Sequence, residues 1–342
     1  MLARTAVGIK GRQDTVFTRQ EAERLREQLT PLDFEHAAPE SELLTRYRRH
    51  YGIDSESLGL EFTHHIGVIS SNEYTVVCQY FCLPRVESGT AFLLHGYYDH
   101  VGLFGHLIQY CLGCGISVVI FDFPGHGLSS GKPASIGSFQ EYCEAFTDCL
   151  GAAKSAALPR PWVAVGQSTG SAVVMDSFQH HKLQSIANFE QSILLCPLLY
   201  PVGWSLSRFV FYLTRWFLPG IRRSFARNSH DEDFLAFLRN SDELQSKTLP
   251  TAWVAAMAEY QKRFLKADSH ASALHIIQGT DDNTVDWKKN LPLIARKFPA
   301  SKTYFIEGAR HHMVNESLAY RDKIFAKLGE LIGRSDTADT TD

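Results

Sequence analysis

The sequence predicts an α/β fold: a mostly parallel eight-stranded sheet with helices on both faces and an inserted helical cap. Three observations carry this. Eight short apolar or β-branched runs of strand length recur along the chain, and helix-length segments separate the later ones. One gap between runs is far too long for a simple crossover. The 342 residues, 44% hydrophobic and 21% charged, suffice for one large core with an insertion.

Residues 1–59 are charged and helix-prone at 19–28 and 40–50, which predicts a helical extension with no recognisable chemistry. Runs 60–69 and 74–83 read as an antiparallel hairpin joined by the four turn residues Ser70, Ser71, Asn72 and Glu73. Runs 91–94, 116–121, 162–165, 192–195, 274–277 and 303–306 are continuous and bounded by Gly, Pro or Asp, as in strands buried on both faces. Leu195 and Leu274 lie nearly 80 residues apart, whereas a crossover needs roughly 30. The surplus predicts a helical cap at 197–265, with the core at 60–196 and 266–333. Residues 334–342 are small, polar and acidic, and read as a disordered tail.

The cap stretch 206–218 is strongly apolar. Leu206, Phe209, Val210, Leu213 and Phe217 share one helical face, and Arg208, Arg215 and Arg222 recur every seven residues. Trp204, Phe209, Phe211, Tyr212, Trp216 and Phe217 crowd into the fourteen residues 204–217. Three roles fit: packing on the main domain, an apolar roof for an acyl chain, or peripheral contact with a membrane surface.

Charge excludes one class of partner. With 34 basic and 37 acidic residues, the formal charge is −3, and nothing selects nucleic acid. The first twenty residues carry no apolar signal core, and no run is long enough to span a bilayer, so a cytoplasmic protein is expected. The seven cysteines, Cys78, Cys82, Cys111, Cys114, Cys143, Cys149 and Cys196, are then free thiols. Cys111 and Cys114 form a lone C-x-x-C without a second pair, so neither a metal nor a redox role is expected.

The chemistry concentrates at Gly166-Gln167-Ser168-Thr169-Gly170, directly after one buried run and before a small-residue helix start. A sharp strand-to-helix turn lifts Ser168 clear of the sheet edge, and a Cβ at either flanking glycine would collide with strand or helix. A serine needs an adjacent base. His311, in Gly308-Ala309-Arg310-His311 past the last run, belongs to the sheet edge where carboxyl ends gather. His312 is its rival. The orienting acid should follow run 274–277, where Asp281, Asp282 and Asp286 compete. The order Ser, Asp, His is that of the α/β-hydrolase fold.

From Ala91 to Ile332 the chain resembles α/β-hydrolases of the monoacylglycerol lipase and lysophospholipase type. His95-Gly96-Tyr97 is similar to that family's oxyanion loop, and Asp122-Phe123-Pro124-Gly125-His126-Gly127-Leu128-Ser129 to its Asp-x-x-Gly-x-Gly-x-Ser turn. Gly279-x-x-Asp282-x-x-Val285 followed by Gly308 to His311 matches its acid and base positions, and that register favours Asp282. Residues 240–244 and 253–257 look like its cap. The elbow departs from the family's usual Gly-His-Ser-Met-Gly-Gly at Gln167, Thr169 and Ser171, and His312 stands where an acid is frequent.

The expectation is a serine esterase acting on lipid-like acyl substrates, with Ser168 as nucleophile, His311 as base and Asp282 as acid. The amides of Tyr97 and Thr169 form its oxyanion hole, and it needs no cofactor or metal. His95 and His126 are expected to be structural. An acyltransferase, thioesterase or peptidase on the same fold, or a silent scaffold, remain as alternatives.

Overall fold

A computed structural model of the chain describes residues 16–84, 88–181, 183–206, 208–209 and 217–333. The N-terminal helices are α1 (Arg19–Gln28), α2 (Glu42–Tyr51) and α3 (Ser55–Leu58). The strands are β1 (Thr63–Ser71), β2 (Tyr74–Cys82), β3 (Thr90–Leu94), β4 (Ser117–Phe121), β5 (Trp162–Gln167), β6 (Phe189–Leu195), β7 (Gly220–Arg222), β8 (Thr248–Pro250), β9 (His275–Gly279) and β10 (Lys302–Ile306). Eight of them form one sheet in the order β1-β2-β4-β3-β5-β6-β9-β10. β2 runs antiparallel to β1 and β4, and every other pairing is parallel. The carboxyl ends of β3, β5, β9 and β10 therefore meet at one edge.

Alternation along the central strands feeds two cores. Phe92, Leu94, Val119 and Phe121 face α5 (Phe139–Ser155) and α6 (Thr169–His180), whereas Ala91, Leu93, Val118 and Ile120 face α4 (Gly105–Gly113) and the N-terminal helices. Every residue of β3 and β4 is buried, the pattern expected of strands covered on both faces.

The N-terminal helices are built into this second core. Thr18 and Glu21 close a reciprocal capping box on α1. Phe17, Leu25, Leu44, Tyr47 and Tyr51 are buried with the sheet residues. Arg26 donates to the Leu128 carbonyl (3.0 Å), Arg19 to that of Leu244 (3.0 Å), and Tyr51 Oη to Asp242 (3.0 Å). The segment thus bridges the turn after β4 and the stretch between β6 and β9.

Three expectations are corrected. The hairpin turn has two residues, not four, because Ser70 and Ser71 stay in the ladder and Asn72, at φ +50°, reverses the chain. The last strand is not buried on both faces: β10 is the sheet's edge, and Phe305 is 54% exposed. The stretch between β6 and β9 is not all helical. It holds helices at Glu232–Asn240 and Thr251–Lys266, but β7 and β8 pair as a small antiparallel ribbon. Pro219 and Pro250 interrupt helix there, and an edge ribbon tolerates a residue without an N–H. Val210, Phe211, Tyr212, Leu213, Arg215 and Trp216 of the apolar stretch, and the tail 334–342, lie outside the described residues.

The cysteines are free, as expected. No helix among the described residues is long and apolar enough to cross a membrane.

Candidate active site

β5 ends at Gln167 and α6 begins at Thr169, so Ser168 alone makes the turn, at φ 53° and ψ −106°. That backbone conformation costs on the order of 1–3 kcal/mol and persists only where its surroundings enforce it. The Ser168 amide donates to Leu195 (2.9 Å), and its carbonyl accepts from Ala172 and Leu198 (3.2 Å each). A Cβ on Gly166 would stand 2.6 Å from the Gly170 backbone, and one on Gly170 would stand 2.1 Å from the Leu94 carbonyl oxygen. Only glycine fits either position.

His311 reaches Ser168 from the loop after β10. Its Nε2 lies 3.0 Å from Ser168 Oγ and its Nδ1 2.8 Å from Asp282 Oδ2. All three side chains are buried. A carboxylate only accepts, so Nδ1 carries the proton and Nε2 presents a lone pair to the serine hydroxyl. Asp282 Oδ1 also accepts the amides of Thr284 (2.8 Å) and Val285 (3.1 Å), and Oδ2 accepts Gln278 Nε2 (3.2 Å). Burial pushes the Asp282 carboxyl up, but His311 and these amides outweigh it and hold it below the usual carboxylate value.

The competitors are engaged elsewhere. Asp281 pairs with Arg310 (3.3 Å) near the surface. Asp286 caps the helix Trp287–Lys297. His312 Nε2 lies 3.2 Å from Asp99, and its ring meets Phe234 edge-on. Burial raises the Asp99 carboxyl, yet His312 brings it down to about 2.

Both loop histidines bond to backbone. The Phe123 amide donates to His95 Nε2 (2.9 Å), so Nδ1 holds the proton and donates to Gly96 O (2.7 Å). His126 Nδ1 donates to Pro124 O (3.0 Å). Burial lowers His95 to about 3 and His126 to about 4. The turn at 122–129 is closed by Asp122, which accepts the amides of Val101 and Leu128 (2.7 Å each).

The loop after β3 borders the serine: a Cβ on Gly96 would lie 3.6 Å from Ser168 Cβ. Among the described residues, neither the Tyr97 amide nor the Thr169 amide donates to another backbone carbonyl. Thr169 opens α6, where amides point outward with a partial positive charge. The Tyr97 ring stacks on Trp253 at 3.8 Å, and its hydroxyl donates to Ala134 O (2.7 Å), which fixes this loop against the stretch between β6 and β9.

Sequence reasoning missed several contributors. Gln167 Nε2 donates to the His311 carbonyl (2.9 Å) and so ties the His311 loop to the elbow, a pairing that the elbow motif does not mark. Gln278 supports Asp282. Arg223, the residue after β7, lies over the Tyr98 ring at 3.8 Å and bonds Gln245 (2.6 Å), and no motif marks it. Cys196, Asp282 and His311 also offer three metal-ligand atoms within 4.8 Å of one another, but Asp282 and His311 already engage each other.

A family model described as Hydrolase_4, serine aminopeptidase S33, matches residues 87–318. The chain is similar to the monoacylglycerol lipase of Mycolicibacterium smegmatis, 33% identical over 86 residues; the match spans 25% of this chain and 31% of that relative. In structure it is similar to a soluble variant of monoglyceride lipase from Saccharomyces cerevisiae in complex with a substrate analog. That pair has a TM-score of 0.66 at 16% identity, over 80% of this chain and 95% of that one. It is also similar to the monoacylglycerol lipase of Paleococcus ferrophilus, with a TM-score of 0.63 at 20% identity, over 76% and 99% of the two chains. At these identities the structural likeness is one of fold.

Proposed function

The chain belongs to the Hydrolase_4 family, and on that premise we propose that it cleaves carboxylic esters of lipid-like acyl substrates, of the monoacylglycerol or lysophospholipid type, through an acyl-serine. The observation that carries this reading is the buried relay from Ser168 through His311 to Asp282, at 3.0 and 2.8 Å. Ser168 Oγ attacks the ester carbonyl as His311 Nε2 takes its proton, and Asp282 stabilises the imidazolium. The Tyr97 and Thr169 amides receive the oxyanion. His311 then protonates the leaving alcohol, and a water activated by the same nitrogen releases the acid. The lipid-like substrate class is supported by the named relatives, which are monoacylglycerol lipases.

The residues between β6 and β9 act, in this reading, as a cap that meets the lipid. Leu206 (68% exposed), Phe209 (62%), Phe217 (82%) and Ile221 (43%) present an apolar surface there, with Arg222 exposed beside them. Such a surface suits shallow docking on an anionic bilayer. A reducing, cytoplasmic setting accords with the free cysteines.

The family description favours one rival, an aminopeptidase. Purified protein assayed in parallel on p-nitrophenyl esters, monoacylglycerols, lysophospholipids, acyl-CoA thioesters and aminoacyl amides separates them. Turnover of the oxygen esters with the long-chain glycerol esters preferred is the expected result. Turnover confined to amides or thioesters overturns the proposal.

A further inference from the structure

At the far end of α6 from Ser168, a second set of metal-ligating side chains comes together. Cys143 on α5, Asp176 on α6 and His181 at the α6 C-cap each offer one ligand atom, and the three atoms lie within 4.8 Å of one another. Around a tetrahedral zinc with bonds of about 2.0–2.3 Å, ligand atoms stand roughly 3.3–3.7 Å apart, so side-chain shifts of about 1 Å close the set.

The bonding around Asp176 distinguishes this set from a chance cluster. Its side chain is fully buried. Oδ2 accepts from the Arg263 guanidinium and from the Cys143 thiol (3.4 Å). Oδ1 has no hydrogen-bond partner among the described residues, and His180 Nε2 stands 3.8 Å from it. His181 Nε2 is likewise buried without a partner among the described residues. A buried carboxylate oxygen and a buried ring nitrogen left unbonded beside a thiol call for an occupant. One soft sulfur donor with one nitrogen and one oxygen suits a zinc-type ion. Arg263 does not exclude it, because ligating carboxylates are commonly held through their second oxygen.

We propose that Cys143, Asp176 and His181 bind a zinc-type divalent cation, with His180 or a water in the fourth position. The thiol loses its proton to solvent as its sulfur forms the metal bond, and no oxidant or reductant is involved. The ion ties α5 to the end of the helix whose first turn follows the elbow. Its role is to hold that helix rather than to touch substrate.

The test uses full-length protein stripped with a chelator and titrated with Co²⁺ as a spectroscopic probe, then with Zn²⁺ as competitor. A thiolate-to-cobalt charge-transfer band should saturate at stoichiometric metal and disappear on adding zinc. It should be absent in Cys143→Ala and in His181→Ala, and it should persist in Cys196→Ala, which removes the sulfur of the set beside the triad. His181 is only partly buried, so that variant keeps the test decisive if Cys143→Ala fails to fold. Zinc should also raise the Tm of the wild type and leave that of His181→Ala unchanged. No band in folded wild type, or a band lost in Cys196→Ala and kept in Cys143→Ala, overturns the proposal.

Discussion

Replacing Asp282 with Asn perturbs the proposed relay with little change in shape. All four partners of the carboxylate donate: Thr284 and Val285 to Oδ1, His311 and Gln278 to Oδ2. An amide has one oxygen and one NH₂ to place there. With its oxygen on Thr284 and Val285, the NH₂ faces His311, whose Nδ1 must then accept. The imidazole proton moves to Nε2, and Ser168 loses its base. The reverse orientation sets the NH₂ against the half-buried Thr284 amide and the buried Val285 amide, each left unsatisfied at about 1–3 kcal/mol, roughly 2–6 kcal/mol together. The wrong tautomer therefore wins, and kcat should fall by about 10³ to 10⁴, or about 4–5.5 kcal/mol of barrier. Steady-state hydrolysis of a p-nitrophenyl ester measures it, with circular dichroism to show that the fold survives. Asp281→Asn and Asp286→Asn should each cost a few-fold at most. A loss below tenfold in folded Asp282→Asn, or an equal loss in Asp281→Asn, refutes the reasoning.

Three further outcomes follow from the geometry. Gly170→Ala places a Cβ 2.1 Å from the Leu94 carbonyl oxygen, backbone that cannot step aside. It should destabilise by about 1–3 kcal/mol or more, and an unchanged Tm would contradict the packing of the elbow. Burial lowers His64 and His95 to about 3 and His126 to about 4, while the unfolded chain protonates them near 6.5. The unfolded state then binds more protons between these values, so stability should fall as pH drops below about 6.5. His100, whose burial is outweighed by Asp242, is raised and so is protonated in both states below about 6.5; Asp122 and Asp176, raised by burial, take up protons in the folded state and oppose the fall in part. A net slope of roughly 2–4 kcal/mol per pH unit near pH 5 is expected; urea midpoints that stay flat from pH 6.5 to 4.5 would refute it. Each methylene buried in an acyl pocket is worth about 0.8 kcal/mol, so kcat/KM should rise several-fold over the shorter acyl esters and then level. A flat or falling series leaves a small-ester hydrolase whose cap only packs.

The parts of the fold legible in the sequence are those with a local signature. Runs 91–94 and 116–121 are continuous and apolar because both faces of β3 and β4 are covered, and they were readable for that reason. Gly166 and Gly170 announced the elbow because only a missing Cβ allows β5, α6 and β3 to approach so closely. Spacing alone did not separate Asp281, Asp282 and Asp286. The family register favoured Asp282, and it is Asp282 that lies 2.8 Å from His311. Long-range polar pairing left no local trace. Gln167 with the His311 carbonyl, His312 with Asp99, and Tyr51 with Asp242 join residues 144, 213 and 191 positions apart. The edge position of β10 was equally hidden, since run 303–306 reads as buried until its neighbours are known. The ribbon of β7 and β8 was missed because three-residue strands fall below the length at which alternation can be read.

The central claim is that Ser168 is the nucleophile of this relay. A fluorophosphonate probe, followed by peptide mass spectrometry, tests it directly. The expected result is one adduct on the wild type, at Ser168, abolished in Ser168→Ala and strongly slowed in His311→Ala. An adduct that persists undiminished in Ser168→Ala, or sits on another residue of the wild type, contradicts the claim.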